Sequence, residues 1–294
     1  MANLKIIRTR ISSVKSTRQI TSAMKMVAAA KLRKAQDKIV RLRPYANKLH
    51  EILVGVTQSL VDSEEDNIYG RITNPEKILI VVITSNRGLC GGFNSNVIKE
   101  TRRVIAENYP NQYKNGNLWF ISIGKKGFEY LRKQKQNILE EDNNLFNELT
   151  FENVSVAAEK VMESFVSGRF DRVDLIYNQF KNAAVQNLTN EVFLPVETIP
   201  LDKKTITVID YIYEPTKEEI VKELIPKSLK IQFYKAVLDS FVAEHGARMT
   251  AMHKATDNAT QFIRELTLQY NKARQTSITN QILEVVSGAE ALKG

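Results

Sequence analysis

The residues best placed to do chemistry form a glycine-rich loop, residues 84–96, between an apolar run and a helical pattern. A loop between a strand and a helix is a common phosphate site, because N–H groups at the helix start point at the anion. This loop lacks both the G-x-G-x-x-G spacing and a terminal Gly-Lys-Ser/Thr. No acidic residue closes the second predicted strand, where a ribose partner would lie. The pattern therefore favours a tight turn with glycine at positive φ over a nucleotide site.

Three other groups of reactive residues give weaker signals. Cys90 has no histidine near it in sequence, so a small buried residue is favoured over a nucleophile. His245 and His253 are eight residues apart, too far to bind one metal together, so they are interpreted as polar fillers in a coiled coil. The acidic run 140–142 is interpreted as a solvated loop. The sequence therefore predicts no catalytic, cofactor-binding or metal-binding residues.

The composition is that of a folded protein without membrane spans. The chain has 294 residues, 43% apolar and 26% charged, which is enough to bury a core. Its single cysteine excludes an internal disulfide and fits a reducing, cytoplasmic-side location. No run approaches the roughly 20 apolar residues that cross a bilayer, and the first residues lack the apolar core of a secretory signal. We therefore expect membrane contact only through partners.

Positive charge is concentrated at the N-terminus. Residues 1–60 contain 13 Lys and Arg against two acids, a net charge of +11 in a chain of +9, so the remainder is −2. Residues 1–34 contain nine basic residues and no acid. A merely solvated face would interleave both signs, so the pattern favours an anionic partner: nucleic acid, a membrane surface or an acidic protein surface.

A heptad pattern predicts one long N-terminal helix over residues 1–60. Alternating steps of three and four from Leu4 to Leu60 visit 17 positions, of which 14 are apolar, the seam of a left-handed coiled coil. Pro44 is expected to bend or open the helix locally. At about 1.5 Å per residue the helix would span roughly 90 Å, so it must lie against an element of similar length.

Residues 227–294 predict the matching helix, because they contain no proline and carry apolar residues at helical spacing. Beyond Leu266 the predicted seam drifts to another face, as expected for a helix that leaves its partner. Helices from opposite chain ends favour an antiparallel pair, although separate dimerisation of each is also compatible with the periodicity. The predicted seam consists of Ile231, Tyr234, Leu238, Phe241, Met252, Ala255, Ala259, Phe262 and Leu266.

Between the helices, residues 78–196 predict an α/β domain, because apolar runs of strand length alternate with helical patterns. Its sheet is expected to be mostly parallel and Rossmann-like. Residues 61–77 are a predicted linker and 197–226 a predicted foot or connector. Strands are predicted at 78–84, 118–123, 173–180 and 192–196, and helices near 96–108, from 125 and at 152–167.

Three consecutive seam positions are polar: Arg18, Thr21 and Lys25. Apolar residues continue on a neighbouring face, at Ile20, Met24 and Val27. One interpretation is a stutter in the supercoil. The other, which we favour because this stretch has no acidic residue, is a contact surface for an acidic partner.

Several segments together resemble the gamma subunit of F-type ATP synthases. Near the N-terminus they are residues 7–14 (IRTRISSV) and 20–31 (ITSAMKMVAAAK), followed by the loop at 84–94 (TSNRGLCGGFN). Near the C-terminus they are residues 244–252 (EHGARMTAM), 255–258 (ATDN), 270–279 (YNKARQTSIT) and 286–288 (VSG). The matches follow the family's order and spacing, whereas the middle of the chain matches in layout more than in motif.

The resemblance implies a rotor. In that family the paired terminal helices form a shaft inside a ring of three alpha and three beta subunits, and its foot docks on the c-subunit ring beside epsilon. Rotation driven by ion flow couples transport to ATP synthesis or hydrolysis on beta, so the shaft needs no cofactor. The implied location is the cytoplasmic face of the bacterial inner membrane, as a peripheral part of the complex. The cysteine-bearing redox insertion of chloroplast members is absent from the sequence.

The resemblance also assigns roles to residues at matching positions. Met24 and Lys25 fall where the family's shaft meets a mobile acidic loop of beta, which is the polar break in the seam. Further positions tied to coupling and to contact with beta are matched by Arg248, Arg274, Gln275, Thr279 and Glu284. The foot that meets the c ring is matched by Tyr211, Tyr213 and Glu214. An apolar, loosely packed bearing in the collar of the hexamer is matched by Ile282, Val285, Val286, Ala289 and Leu292.

Two other classes of protein would explain parts of the sequence. A basic coiled-coil nucleic-acid-binding protein would explain the N-terminal charge, but that helix has a single aromatic residue, Tyr45, and no recognised docking motif. An α/β enzyme that binds a nucleotide at Gly91 and Gly92 would explain the loop. Copurification with rotor subunits, with nucleic acid or with neither distinguishes the three classes.

Overall fold

The computed structural model describes residues 2–58, 68–70, 74–196 and 217–291. Among these residues, no helix is both long enough and apolar enough to cross a membrane. The elements in chain order are α1 (Ala2–Gln58), β1 (Ile78–Ile83), α2 (Phe93–Asn108), α3 (Pro110–Lys114), β2 (Leu118–Ile123), α4 (Lys125–Lys133), β3 (Asn137–Asp142), α5 (Phe151–Val166), β4 (Arg172–Phe180), β5 (Gln186–Leu194) and α6 (Lys217–Ala291).

The chain divides into two compact units, and α1 and α6 contribute to both. The terminal unit consists of Met1–Ala29 and Arg248–Gly294, and the central unit of Ala30–Ala247. Within each unit, segments of α1 and α6 pack against one another. The predicted α/β class with long, paired N- and C-terminal helices is confirmed.

The central unit contains a five-stranded sheet of order β3-β2-β1-β4-β5. β1 lies at its centre and pairs in parallel with β2 and β4, and β2 pairs in parallel with β3. Only β5 is antiparallel, alongside β4. All six residues of β1 are buried, as expected for a branched apolar strand covered on both faces. The predicted parallel-rich sheet is therefore confirmed.

Helices cover both faces of the sheet. Ile78, Ile80 and Val82 of β1 share a core with Val97 and Val104 of α2. Because side chains alternate along a strand, the residues between them point to the other face. On that side α6 meets β5 and α5 through aromatic rings, with centroids 5.5 Å apart for Phe193 and Phe233 and 5.7 Å apart for Phe151 and Tyr234.

The long helices begin and end differently from the prediction. α6 begins at Lys217, within the predicted connector, and Pro226 lies inside it, so the predicted start at residue 227 was wrong. Ile225 and Leu229 on either side of the proline are buried, and this packing outweighs the lost backbone hydrogen bond. α1 continues through Pro44 to Gln58. Most of the predicted linker (61–67 and 71–73) and residues 197–216 of the connector lie outside the described residues.

The acidic run 140–142 was wrongly predicted as a loop without basic partners. It lies on β3, an edge strand that the sequence did not reveal, and Glu140 forms an ion pair of 2.6 Å with Lys160. The carboxylate of Asp142 accepts hydrogen bonds from the backbone N–H groups of Asn144 and Leu145. The short helix α3 was also missed, and β5 begins six residues before the predicted strand at 192–196.

Candidate functional site

In the terminal unit, two side-chain contacts define the register of the helix pair. The Thr256 hydroxyl of α6 donates to the Thr21 hydroxyl of α1 over 2.9 Å. One turn further along α1, the Lys25 ammonium lies 3.4 Å from Nδ1 of His253. Residue numbers rise along one helix while they fall along the other, so the predicted antiparallel pairing is confirmed for this unit.

The three polar seam positions differ in environment, so they do not form one outward polar patch. Thr21 is only 8% exposed and faces Thr256 inside the pair, whereas Lys25 is half-buried and Arg18 is exposed. Two of the three polar seam residues of α1 therefore contact polar residues of α6, Thr21 with Thr256 and Lys25 with His253. The favoured interpretation, a contact surface formed by all three residues, was wrong for Thr21.

The neighbouring face of α1 is apolar and open in the terminal unit. Ile20 and Val27 are 60% and 58% exposed, and Met24 is half-buried. Large aliphatic side chains grouped in this way on a basic helix are typical of a surface that another protein covers.

The seam of α6 keeps a regular spacing further than predicted. Residues 252, 256, 259, 263, 266, 270 and 273 are all buried or half-buried, at steps of four and three. Phe262, which was placed in the seam, is 57% exposed, so that prediction was wrong. Its neighbour Ile263 occupies the seam because a step of four, not three, follows Ala259.

The residues matched to coupling do not form one cluster. Arg248 is buried, whereas Arg274, Gln275, Thr279 and Glu284 are exposed. Lys25 lies beside His253, and Arg274 is 21 residues further along α6, about 30 Å at the rise of an α-helix. The described residues therefore present two separate surfaces, one near Lys25 and one beyond residue 273.

The last turns of α6 carry exposed apolar residues. Extended at the register of the Thr21–Thr256 contact, residues beyond about 275 of α6 lie past the α1 residues that the structure describes. Ile282, Val285 and Val286 are 58%, 71% and 52% exposed, and Ala289 is exposed as well. Leu292, the fifth predicted bearing residue, lies outside the described residues, as do the foot residues Tyr211, Tyr213 and Glu214.

The glycine-rich loop uses its polar groups internally. Gly91 adopts a φ of 61°, which confirms the predicted turn, and Leu89 shares this unusual conformation at 62°. The Asn94 side chain accepts a hydrogen bond from the Ser85 backbone N–H at 3.0 Å and donates to the Ser85 hydroxyl at 2.8 Å. Cys90 is 1% exposed, as predicted for a small buried residue. The loop is therefore a turn held by side-chain hydrogen bonds around Ser85 and Asn94.

The described part of the chain contains no group of His, Cys, Asp or Glu that could hold a metal ion. Its buried acids have structural partners. Asp174 accepts a hydrogen bond from the Tyr109 hydroxyl and pairs with Arg172 at 3.1 Å. Burial and the neighbouring Asp174 carboxylate raise the pKa of Tyr109. His245 is buried against the ring of Phe241, at a centroid distance of 4.5 Å.

The sequence did not reveal an ion pair with a buried carboxylate in the central unit. The Arg43 guanidinium of α1 lies 3.0 Å from a carboxylate oxygen of Asp239 on α6, and Asp239 is fully buried. Burial raises the pKa of Asp239, and the charge of Arg43 opposes that shift. An acid inside the apolar stretch of α6 was the available signal, but a partner nearly 200 residues away in the chain is invisible to periodicity.

These features define a class of protein: a mixed α/β domain associated with a long antiparallel helix pair, whose accessible surfaces suit contacts with other subunits. A family model described as ATP synthase matches residues 3–292. The ATP synthase gamma chain of Cytophaga hutchinsonii is 52% identical, with 99% of each chain covered. That of Flavobacterium johnsoniae is 55% identical over the full length of both chains. The chain therefore belongs to the ATP synthase gamma chain family.

Solved structures share the fold. A chain of the Tetrahymena thermophila mitochondrial ATP synthase, central stalk/c-ring, is 28% identical with a TM-score of 0.58, and the match covers 80% of this chain and 99% of that one. A chain of the Euglena gracilis mitochondrial ATP synthase, OSCP/F1/c-ring, has a TM-score of 0.73 at 24% identity, with coverage of 99% and 95%.

Proposed function

We propose that this chain is the central rotor shaft of an F-type ATP synthase, where it couples transmembrane ion flow to ATP synthesis or hydrolysis. The observation that carries the proposal is the family match over residues 3–292, together with relatives named gamma chain along their whole length. Its partners are three alpha and three beta subunits, epsilon and the c-subunit ring. The relatives are bacterial, so the proposed place is the cytoplasmic face of the plasma membrane, as a peripheral part of the complex.

The terminal unit supports this role through the surfaces that it offers. Apolar residues are exposed on α1 and at the end of α6. Surfaces of this kind are typically buried against another protein, and a surrounding ring of subunits would bury them. The acid-free basic stretch of α1 suits an acidic loop of a neighbouring subunit. Because these surfaces differ around the pair, rotation would present each surrounding subunit with a changing set of contacts.

The proposed chain has no catalytic site of its own. The glycine-rich loop supports this, since its sequence departs from the spacing of phosphate-binding loops. Nucleotide chemistry is assigned to the surrounding subunits. The alternative of a basic nucleic-acid-binding coiled coil explains the charge but not the match over the whole chain, and we do not favour it.

The coupling proposal assigns roles to individual residues. We assign contact with beta to Met24, Lys25, Arg274, Gln275, Thr279 and Glu284, and a role in coupling to Arg248, which is buried. The c-ring foot is assigned to Tyr211, Tyr213 and Glu214, and the apical bearing to Ile282, Val285, Val286, Ala289 and Leu292.

The charge of Lys25 tests the proposal. In membrane vesicles containing the assembled enzyme, Lys25→Glu should lower the number of protons pumped per ATP hydrolysed. The expected loss is about fivefold, because a half-exposed charge contact contributes about 1 kcal/mol. Subunit content should stay unchanged. Lys99→Glu, the same charge change at an exposed position of α2, serves as the control. Full pumping by Lys25→Glu would show that this site has no coupling role, and failure of the chain to join alpha and beta would overturn the rotor proposal.

A further inference from the structure

In the central unit, the Arg43 side chain joins three elements. Its Nη2 atom donates to the Asp239 carboxylate on α6 at 3.0 Å and to the backbone carbonyl of Phe180 at 2.9 Å. Phe180 is the last residue of β4, and Arg43 itself belongs to α1. One nitrogen atom of α1 therefore bonds both to α6 and to the end of β4.

A second polar link lies two turns away on α6. Gln232 donates to one carboxylate oxygen of Glu191 on β5 at 2.5 Å, and the Tyr177 hydroxyl of β4 donates to the other at 2.8 Å. Gln232 and Asp239 are seven residues apart, so they lie on the same face of the helix. Both links thus join α6 to the antiparallel edge of the sheet.

We infer that these two links form a clasp, consisting of Arg43, Asp239, Gln232, Glu191 and Tyr177, that transmits twisting force between the sheet and the helix pair. The inference rests on the proposed rotor function and deepens it by naming the positioning residues. A rotor that is driven through one part of its structure and acts through another needs contacts that do not slide.

An aromatic contact between α6 and the sheet is less able to prevent sliding. The ring centroids of Phe193 on β5 and Phe233 on α6 lie 5.5 Å apart. Apolar contact is not directional, so packed layers can shift by small amounts without losing it. Hydrogen bonds weaken steeply when their distance or angle changes, and two acceptors on one nitrogen fix its position.

The burial of Asp239 also calls for a role beyond stability. Its side chain is fully buried while that of Arg43 is 39% exposed, and an ion pair with a buried member is often no more stabilising than an apolar pair of similar volume. Its directional bonds do, however, specify one relative position of the three elements. A specified position is what force transmission requires.

The test replaces the pair by apolar residues in the assembled enzyme. We expect Arg43→Met/Asp239→Leu to leave subunit content and ATP hydrolysis intact and to lower protons pumped per ATP by about two- to tenfold, the usual range of coupling changes. The matched control is Arg103→Met/Glu107→Leu, which removes an ion pair of 2.7 Å within α2. Arg43→Lys in the wild-type background should retain most of the pumping, because it keeps a positive charge beside Asp239. Wild-type pumping by the apolar double variant would overturn the clasp.

A single substitution decides the question if the double variant does not assemble. Gln232→Leu removes the second link and leaves the Arg43–Asp239 pair in place, so it should assemble and pump about twofold less per ATP. Wild-type pumping by Gln232→Leu would then overturn the clasp. The rotor proposal is judged separately, because a clasp variant with normal pumping beside an impaired Lys25→Glu would remove the clasp alone.

Discussion

At the scale of single residues, the backbone around Gly124 leaves no room for a side chain. It joins β2 to α4 with a φ of 100°, a conformation that favours glycine. A Cβ added there would lie 2.2 Å from the carbonyl oxygen of Thr84, which is backbone and cannot rotate away. The same crowded corner holds Gly127, whose N–H donates to the Thr84 hydroxyl at 2.8 Å. Through this contact, the start of the glycine-rich loop packs against the turn between β2 and α4.

We therefore expect Gly124→Ala to destabilise the protein strongly. The clash and the unfavourable φ together should lower the free energy of unfolding by about 3 kcal/mol or more. Urea unfolding of the full chain, followed by circular dichroism, measures the loss. Gly88→Ala is the control, since an added Cβ there meets nothing within 4 Å and its φ is not positive. Equal unfolding midpoints for the two variants would contradict the steric argument.

At the scale of elements, the sequence predicts what depends on local pattern. The heptads of α1, the continuous apolar run of β1 and the alternation of strands and helices all follow from spacing and composition. β3 could not be predicted, because an edge strand carries charge on its open side and Asn-Ile-Leu-Glu-Glu-Asp has only two apolar residues. The start of α6 before Pro226 depends on tertiary burial, which the single sequence does not show. The role of Thr21 depends on which residue of α6 faces it.

The Thr21–Thr256 contact gives a prediction at this scale. Thr256→Val should lower the free energy of unfolding by about 1 kcal/mol, because the buried Thr21 hydroxyl loses its donor. Adding Thr21→Val to that variant should recover the lost free energy of unfolding, since two methyl groups then replace the pair of hydroxyls. A double-mutant cycle by urea unfolding measures the coupling.

A hydroxyl confined to one helix provides the control for this cycle. Thr260 donates to the Thr256 carbonyl at 2.9 Å, so Thr260→Val should show no coupling to Thr21→Val. Strict additivity between Thr21→Val and Thr256→Val would mean that the hydroxyl contact has no energetic role in the pair.

At the scale of the whole molecule, the net positive charge comes from one end of the chain. The first 60 residues carry +11 and the other 234 carry −2, within a total of +9. A field with one sign along one segment raises the rate at which an oppositely charged partner docks, and salt suppresses that gain. The proposed partner surface for α1 is acidic. Assembly of this chain with alpha and beta subunits should therefore be fastest at low ionic strength.

Neutralising part of α1 tests where this steering originates. Arg8→Gln/Arg10→Gln/Lys15→Gln removes three exposed charges from α1, and we expect it to slow association with alpha and beta by about tenfold at low salt. Its rate should also depend less on ionic strength, because less charge remains to be screened. Arg132→Gln/Lys133→Gln/Lys135→Gln removes three exposed charges at and just after the end of α4, and its salt dependence should match the wild type. Stopped-flow fluorescence of labelled chains at several salt concentrations measures how the association rate of each variant depends on ionic strength. Equal dependence for the two triple variants would mean that the net charge of the chain, and not the position of the charges on α1, causes the steering.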